Sequence, residues 1–171
     1  EGAENAKIAF IGEAPGKQED IQGRPFVGPS GQFLEDLLRS VGLKRSEVYI
    51  CNVVKCRPPE NRDPLPAEIQ ACESWLSAQL ALIKPKMIVT LGRFSLARYF
   101  PQQTISRIHG NVKRLDGILY FPMYHPAAAL HQQSLRQVIE QDMLKIPPLL
   151  AELEQVEAAE PETKPHQLSM F

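Results

Sequence analysis

Several short segments of this sequence carry residue types that can act on a flat, polar ring. Gly12-Glu13-Ala14-Pro15-Gly16 combines residues that permit a tight turn, which brings backbone amides near a ligand, with a carboxylate at Glu13. The stretch Gly23 to Gly31 (GRPFVGPSG) holds one aromatic, Phe26, in a loop stiffened by two prolines and loosened by three glycines. Such a side chain can stack on an extruded base, worth about 1–3 kcal/mol, but stacking tolerates many rings. Selectivity then needs a polar partner. Asn52, at the end of an apolar run, offers a donor and an acceptor on one amide, matching a pyrimidine that presents a carbonyl beside a ring N–H. His125-Pro126 places an imidazole after another apolar run, where it can hydrogen-bond an oxygen that becomes negative. Leu130 is an apolar residue that can wedge into a base stack as a nucleotide leaves it. Each feature also has a plainer reading: an ordinary strand-to-helix turn, a core Phe, a turn-capping Asn, a structural His and a helix-core Leu.

The segment Lys55-Cys56-Arg57-Pro58-Pro59-Glu60-Asn61-Arg62 mixes basic residues, a proline pair and a cysteine directly after a strand pattern, and Cys72 follows sixteen residues after Cys56. That separation lets two thiolates meet across a loop and a helix start. Two cysteines cannot hold a four-ligand cluster, and two buried, inert thiols are the alternative.

These residues need elements to position them. Lys7 to Gly12, Val48 to Val54, Met87 to Leu91 and Leu119 to Tyr124 are apolar runs without alternation, as in strands buried on both faces; Pro122 puts the last near a sheet edge or bulge. Helical spacing runs over Ser30 to Val41 (Phe33, Leu34, Leu37, Leu38, Val41) and over Pro66 to Leu82 (Ile69, Trp75, Leu76, Leu80, Ala81). Shorter helices fit Arg93 to Tyr99 and Ser134 to Ile146. The alternation predicts an α/β domain, a three-layer α/β/α sandwich with a central four-stranded parallel sheet. In such sheets ligands bind beyond the carboxyl ends of the strands, where Glu13, Asn52 and His125 fall. The domain is expected over residues 1–148, followed at 149–171 by an acidic, flexible tail.

The chain has 171 residues, 43% of them hydrophobic, enough for one domain with a two- or three-layer core. No apolar run reaches the roughly 20 residues of a membrane span, and Glu1 to Ala6 lacks the charged-then-apolar order of a secretion signal, so a cytoplasmic protein is expected. The net charge of −1 conceals a split: residues 151–171 hold five acids and one base, leaving 18 basic against 15 acidic residues in 1–150. A body near +3 permits a nucleic-acid partner without demanding one.

In order, GEAPG, Gln18-Glu19-Asp20, GRPFVG, YICNVVKCRPPENR, Cys72 ahead of Trp75, and YHPAAAL resemble the motifs of family 4 uracil-DNA glycosylases over roughly Lys7 to Ile146. VKCRPP and GRPFVG are the specific matches. The resemblance implies a monomeric enzyme that hydrolyses the N-glycosidic bond of flipped-out deoxyuridine in DNA, with a 4Fe-4S cluster remote from the chemistry and no catalytic metal. It implies that Glu13, Ala14 and Pro15 shape the uracil and water site, Phe26 stacks on uracil, Asn52 reads its edge and His125 stabilises the leaving anion. Glu19 and Asn61 would position water or loops, and Leu130 would be the wedge. Ala14 stands where better-known members of the superfamily carry aspartate, and His109 precedes Gly110 where family members tend to carry Arg. Cys56 and Cys72 match two cluster ligands; the other two normally lie in a Cys-x-x-Cys pair before the first strand, and a preceding segment carrying them is expected because the chain opens on Glu1. Gln167-Leu168-Ser169-Met170-Phe171 resembles the peptide that binds the bacterial sliding clamp. The competing readings are a glycosylase for other deaminated or mismatched bases and a non-catalytic DNA-binding module recruited by the clamp.

Overall fold

A computed structural model describes residues 1–159. Its centre is a sheet of β1 (Ile8–Gly12), β2 (Tyr49–Asn52), β3 (Met87–Leu91), β4 (Lys113–Leu115) and β5 (Ile118–Met123), in the order β2-β1-β3-β5-β4. β1 lies parallel to both β2 and β3, and β3 parallel to β5. Every residue of β1 and β3 is buried, which explains why these runs show no polar alternation.

The expected three-layer α/β/α architecture is present, but the sheet has five strands and is mixed, because β4 adds antiparallel to β5 at one edge. Lys113-Arg114-Leu115 is too short and too polar to carry a strand signature, and its last two residues are exposed, as suits an edge. Pro122 is tolerated near that edge. Its carbonyl accepts from the Gly110 N–H, so the N–H it lacks faces the loop before β4 instead of β3.

Alternate residues of the strands feed two apolar clusters. Ile8, Phe10, Ile50, Val89 and Phe121 pack with Phe33, Leu34, Leu37 and Leu38 of α2 (Pro29–Ser40) and with Ile139 and Met143 of α7 (Ser134–Met143). Ala9, Ile11, Cys51, Val53, Ile88 and Tyr120 face Leu76 of α3 (Pro66–Ile83). A fully buried side chain of this size contributes about 1.5–3 kcal/mol, whereas an exposed ion pair such as Lys7 with Glu154 contributes about 0–1 kcal/mol. The two sheet faces therefore hold the fold.

Two expectations fail in detail. Trp75 is not on the apolar face of α3: it is 67% exposed, because Leu76 faces the sheet and Ile69 and Leu80, at seven- and four-residue spacing from it, flank the contact. The domain also does not stop at residue 148. α8 (Ile146–Ala159) carries the chain on, and Leu149, Leu150 and Leu153 pack against the main cluster at helical spacing, so the segment expected to be a flexible tail begins as a docked helix. The remaining short helices are α1 (Lys17–Gln22), α4 (Arg93–Tyr99), α5 (Ile105–Ile108) and α6 (Pro126–His131).

Candidate active site

A cavity of about 320 Å³ opens at the carboxyl ends of β1, β2 and β5. Glu13, Ala14 and Pro15 line it from the loop after β1, and Asn52 from the end of β2. Glu19, Phe26, Asn61 and His125 line it as well, so the eight residues expected to be catalytic or substrate-binding meet in one place.

Phe26 and Asn52 converge on Gly12. A Cβ there would lie 2.5 Å from Asn52 Oδ1 and 2.5 Å from Phe26 Cζ, so only glycine lets strand, amide and ring come together. Phe26 is 5% exposed and belongs to the main cluster; it is both a core residue and a wall of the cavity. Its backbone is held at φ 51°, a left-handed conformation unusual for an aromatic. The surroundings over-determine it: Arg45 Nη1 donates to the Phe26 carbonyl at 2.9 Å, Arg45 also donates to the Pro25 carbonyl, and Gly31 leaves room for the Phe26 carbonyl where a Cβ would collide. Asn52 Oδ1 is buried and has no hydrogen-bond partner among the described residues, a rare state for a side-chain oxygen and one that a ligand N–H would relieve.

Glu19 braces the opposite wall. Its Oε1 accepts from the backbone N–H of Val27 (2.9 Å) and of Gly28 (2.7 Å), which ties α1 to the Phe26 loop. The loops after β1 and β2 continue the sheet pairing, since Val53 N–H donates to the Gly12 carbonyl and Val54 N–H to the Glu13 carbonyl. Glu13 is thus fixed beside Asn52. Burial pushes its carboxyl above the ordinary carboxylate range, the negative charge of Asp63 adds to this, and Arg93 opposes it.

His125 is the N-cap of α6. Its Nδ1 accepts the Ala127 N–H at 3.1 Å, so the ring proton sits on Nε2, which is left as a donor. Burial drives its pKa from an ordinary 6.5 to about 4, with Glu19 pulling slightly upward. The imidazole is therefore neutral at physiological pH. It lies 5.5 Å from the Phe26 ring, centroid to centroid, with 26° between planes. Gly92 permits its approach, since a Cβ there would meet His125 Cβ at 3.1 Å.

Asn61, in a 3-10 turn over Pro59–Asn61, is fixed through Oδ1, which accepts from Arg57 Nε at 2.7 Å. Three polar side chains of the lining escaped sequence reasoning: Ser30, Arg62 and His131. His131 lies four residues after Ala127 on α6, and both face the cavity, so helical spacing from His125-Pro126 is the signal that could have found it. Leu130 does not line the cavity. It is half exposed on α6, which excludes a core role. His109 is likewise outside the cavity, bonded through Nδ1 to Asp142 at 2.7 Å and packed on Tyr124.

The cysteines divide differently from the two-inert-thiols alternative. Cys51 is the buried one, its pKa pushed up to about 11 by burial. Cys56 is exposed and Cys72 half-buried, and Cys72 Sγ accepts the Lys55 N–H at 3.3 Å, which brings Cys72 to the backbone next to Cys56. Among the described residues no group of three or more Cys, His, Asp or Glu is arranged to hold a metal ion.

The His125 assignment has a direct check. Because its folded-state pKa lies below the unfolded value, the stability associated with burying this ring is intact above about pH 6.5 and is lost as pH falls toward 4. Imidazole nitrogen resonances should report a neutral, Nε2-protonated ring from pH 7 down to pH 5. A ring that charges near its ordinary pKa contradicts the burial argument.

The Uracil DNA glycosylase superfamily model matches residues 1–145. The chain is 46% identical over 154 residues to the type-4 uracil-DNA glycosylase of Archaeoglobus fulgidus, covering 85% of this chain and 77% of that protein. It is 44% identical over 150 residues to the type-4 enzyme of Thermotoga maritima, covering 85% and 78%. To the type-5 uracil-DNA glycosylase of Pyrobaculum aerophilum it is 31% identical over 141 residues, covering 72% and 62%. With the motifs from Gly12 to Leu130 in order on this fold, the chain belongs to the uracil-DNA glycosylase superfamily, in its type-4 family.

Proposed function

We propose that this protein is a hydrolase that removes uracil from DNA by cutting its N-glycosidic bond, leaving an abasic site. The observation that carries the reading is the unpartnered, buried Asn52 Oδ1 beside the Phe26 ring. A flat ring with an N–H on its edge satisfies that oxygen, and uracil has one at N3. Cytosine instead presents a lone pair there, so two acceptors face each other and the Asn52 oxygen stays unsatisfied. An unmade buried hydrogen bond costs about 1–3 kcal/mol before the repulsion is added.

In the reaction, the extruded uracil stacks on Phe26, with its N3–H on Asn52. As the bond from C1′ to N1 lengthens, its electron pair moves onto the base and spreads over O2 and O4, while the sugar becomes oxocarbenium-like. The neutral His125 donates its Nε2–H to the growing negative charge on O2. Glu13 lowers the energy of the cationic sugar as a carboxylate, and its raised pKa suits it to take the proton of the water that attacks C1′. Glu19 and Asn61 keep the walls in place, and Leu130 fills the gap left in the DNA stack.

The DNA assay is direct. His125→Ala should lower kcat on uracil-containing DNA about 10²–10³-fold. Asn52→Ala should erase the preference for uracil, and Phe26→Ala should raise KM, each with the fold retained. Failure of the native protein to generate abasic sites from uracil-containing single- or double-stranded DNA would sink the reading.

Cys56 and Cys72 supply two of the four thiolates that a 4Fe-4S cluster needs, and their placement around the Lys55 backbone fits such a role. Cys56 in the β2–α3 loop and Cys72 on α3 would hold such a cluster, which would cross-link the two segments. Full-length protein should contain iron and inorganic sulfide with visible absorbance, and Cys56→Ser or Cys72→Ser should lose both. Iron-free native protein prepared without oxygen would remove the cluster from the account.

Gln167 to Phe171 lie outside the described residues, and we assign them as a tether to the sliding clamp. Their deletion should abolish retention on an immobilised clamp and leave excision from naked DNA unchanged.

A further inference from the structure

Among the described residues β2 is an edge strand, so one row of its backbone groups has no neighbouring strand. Ile50 exchanges both of its bonds on that open side with Glu1, and by the two-residue period of a strand the Asn52 carbonyl faces the same way. Lys55 meets it. Its Nζ donates to the Asn52 carbonyl at 2.7 Å and to Gln79 Oε1 of α3 at 2.7 Å, while its backbone N–H donates to Cys72 Sγ, seven residues before Gln79 on the same helix. One residue therefore fastens the end of β2 to two points on α3 that lie about two helical turns apart.

This matters because the Asn52 side-chain oxygen, left without a partner, has no hydrogen bond of its own to aim it. Its direction follows from the backbone that carries it and from the close packing at Gly12. We propose that Lys55 is a positioning residue for base reading: its ammonium takes the place of a missing neighbouring strand, holds the Asn52 backbone, and so aims Oδ1 at the substrate N–H. The inference rests on the functional reading above. It also gives the paired cysteines a route to the site, since α3 carries Cys72 and Gln79 together and Lys55 grips both.

A double-mutant cycle on purified full-length protein tests this by steady-state excision of uracil from DNA. Lys55→Met should lower kcat/KM about tenfold, the size of one lost charge-assisted hydrogen bond. Lys55→Arg should recover most of the loss. In an Asn52→Ala background Lys55→Met should cost less than about twofold, because the group it aims is gone. An equal loss in both backgrounds, or full activity of Lys55→Met, overturns the proposal. If Lys55→Met does not fold, Gln79→Leu, which removes one of the two acceptors of Nζ, takes its place with the same sign and a smaller expected loss. If the native protein releases no uracil, the functional reading fails first, and the side-chain amide resonances of Asn52 decide separately. They should shift or split in Lys55→Met and return in Lys55→Arg, and unchanged resonances in Lys55→Met overturn the positioning role.

Discussion

The close approach at Gly12 governs this molecule's chemistry. Three things are brought within contact there: the end of a fully buried strand, an aromatic ring and a carboxamide oxygen that none of the described residues satisfies. Leaving a buried acceptor unpaired costs about 1–3 kcal/mol, which a marginally stable domain tolerates only if the site is tightly held. The holding is visible. The sheet pairing runs on past its strands through Val53 and Val54, Arg45 clasps the carbonyls of Pro25 and Phe26, and Glu19 gathers the next two amides of the same loop. Ligand binding then releases energy that the fold has already stored, and releases it only for a ring with a hydrogen at the matching place.

The same enclosure sets the electrostatics. Burial lowers the His125 pKa and raises that of Glu13, which keeps the imidazole uncharged and makes the carboxyl a better proton acceptor than an exposed one. A neutral donor is the suitable partner for a base leaving as an anion. It stabilises the developing charge by hydrogen bonding, and its Nδ1, engaged with the Ala127 amide, fixes which nitrogen carries the proton. Hydrogen bonding and burial thus select one tautomer and one charge state together.

Much of this was legible in the sequence, for identifiable reasons. Glycine-rich turns and strand-end polar residues announce themselves because the adjoining runs are so uniformly apolar, and at the end of a parallel sheet such residues must converge. Ser30, Arg62 and His131 were missed because each sits in a segment already explained by something else: a helix start, a basic loop and a short helix. The edge strand β4 was missed because three mostly exposed residues carry no period. α8 was misread because the whole segment after Pro148 reads as rich in Glu, Ala and Pro, while Leu149, Leu150 and Leu153 suffice to dock its first turns. Trp75 misled in the opposite way, since size and apolarity suggest burial but helical phase decides it. Which cysteine is inert also depended on depth: Cys51 is inside the sheet, whereas Cys56 and Cys72 are not.

Ala14 poses the remaining question of mechanism, because it offers no carboxylate where other members of the superfamily place aspartate. The difficulty is smaller than it looks. If the glycosidic bond is largely broken in the transition state, the sugar carbon is already strongly electrophilic and water needs little activation, so the barrier lies mainly in separating a cation from an anion. Groups that stabilise those charges then matter more than a dedicated base. In the proposed reaction His125 faces the anion, and Glu13, one residue before Ala14 and fixed through its carbonyl to Val54, supplies negative charge from the same loop. A carboxylate displaced by one residue can serve a dissociative reaction because charge stabilisation acts over several ångströms, whereas abstraction of a water proton in an associative one would require contact geometry.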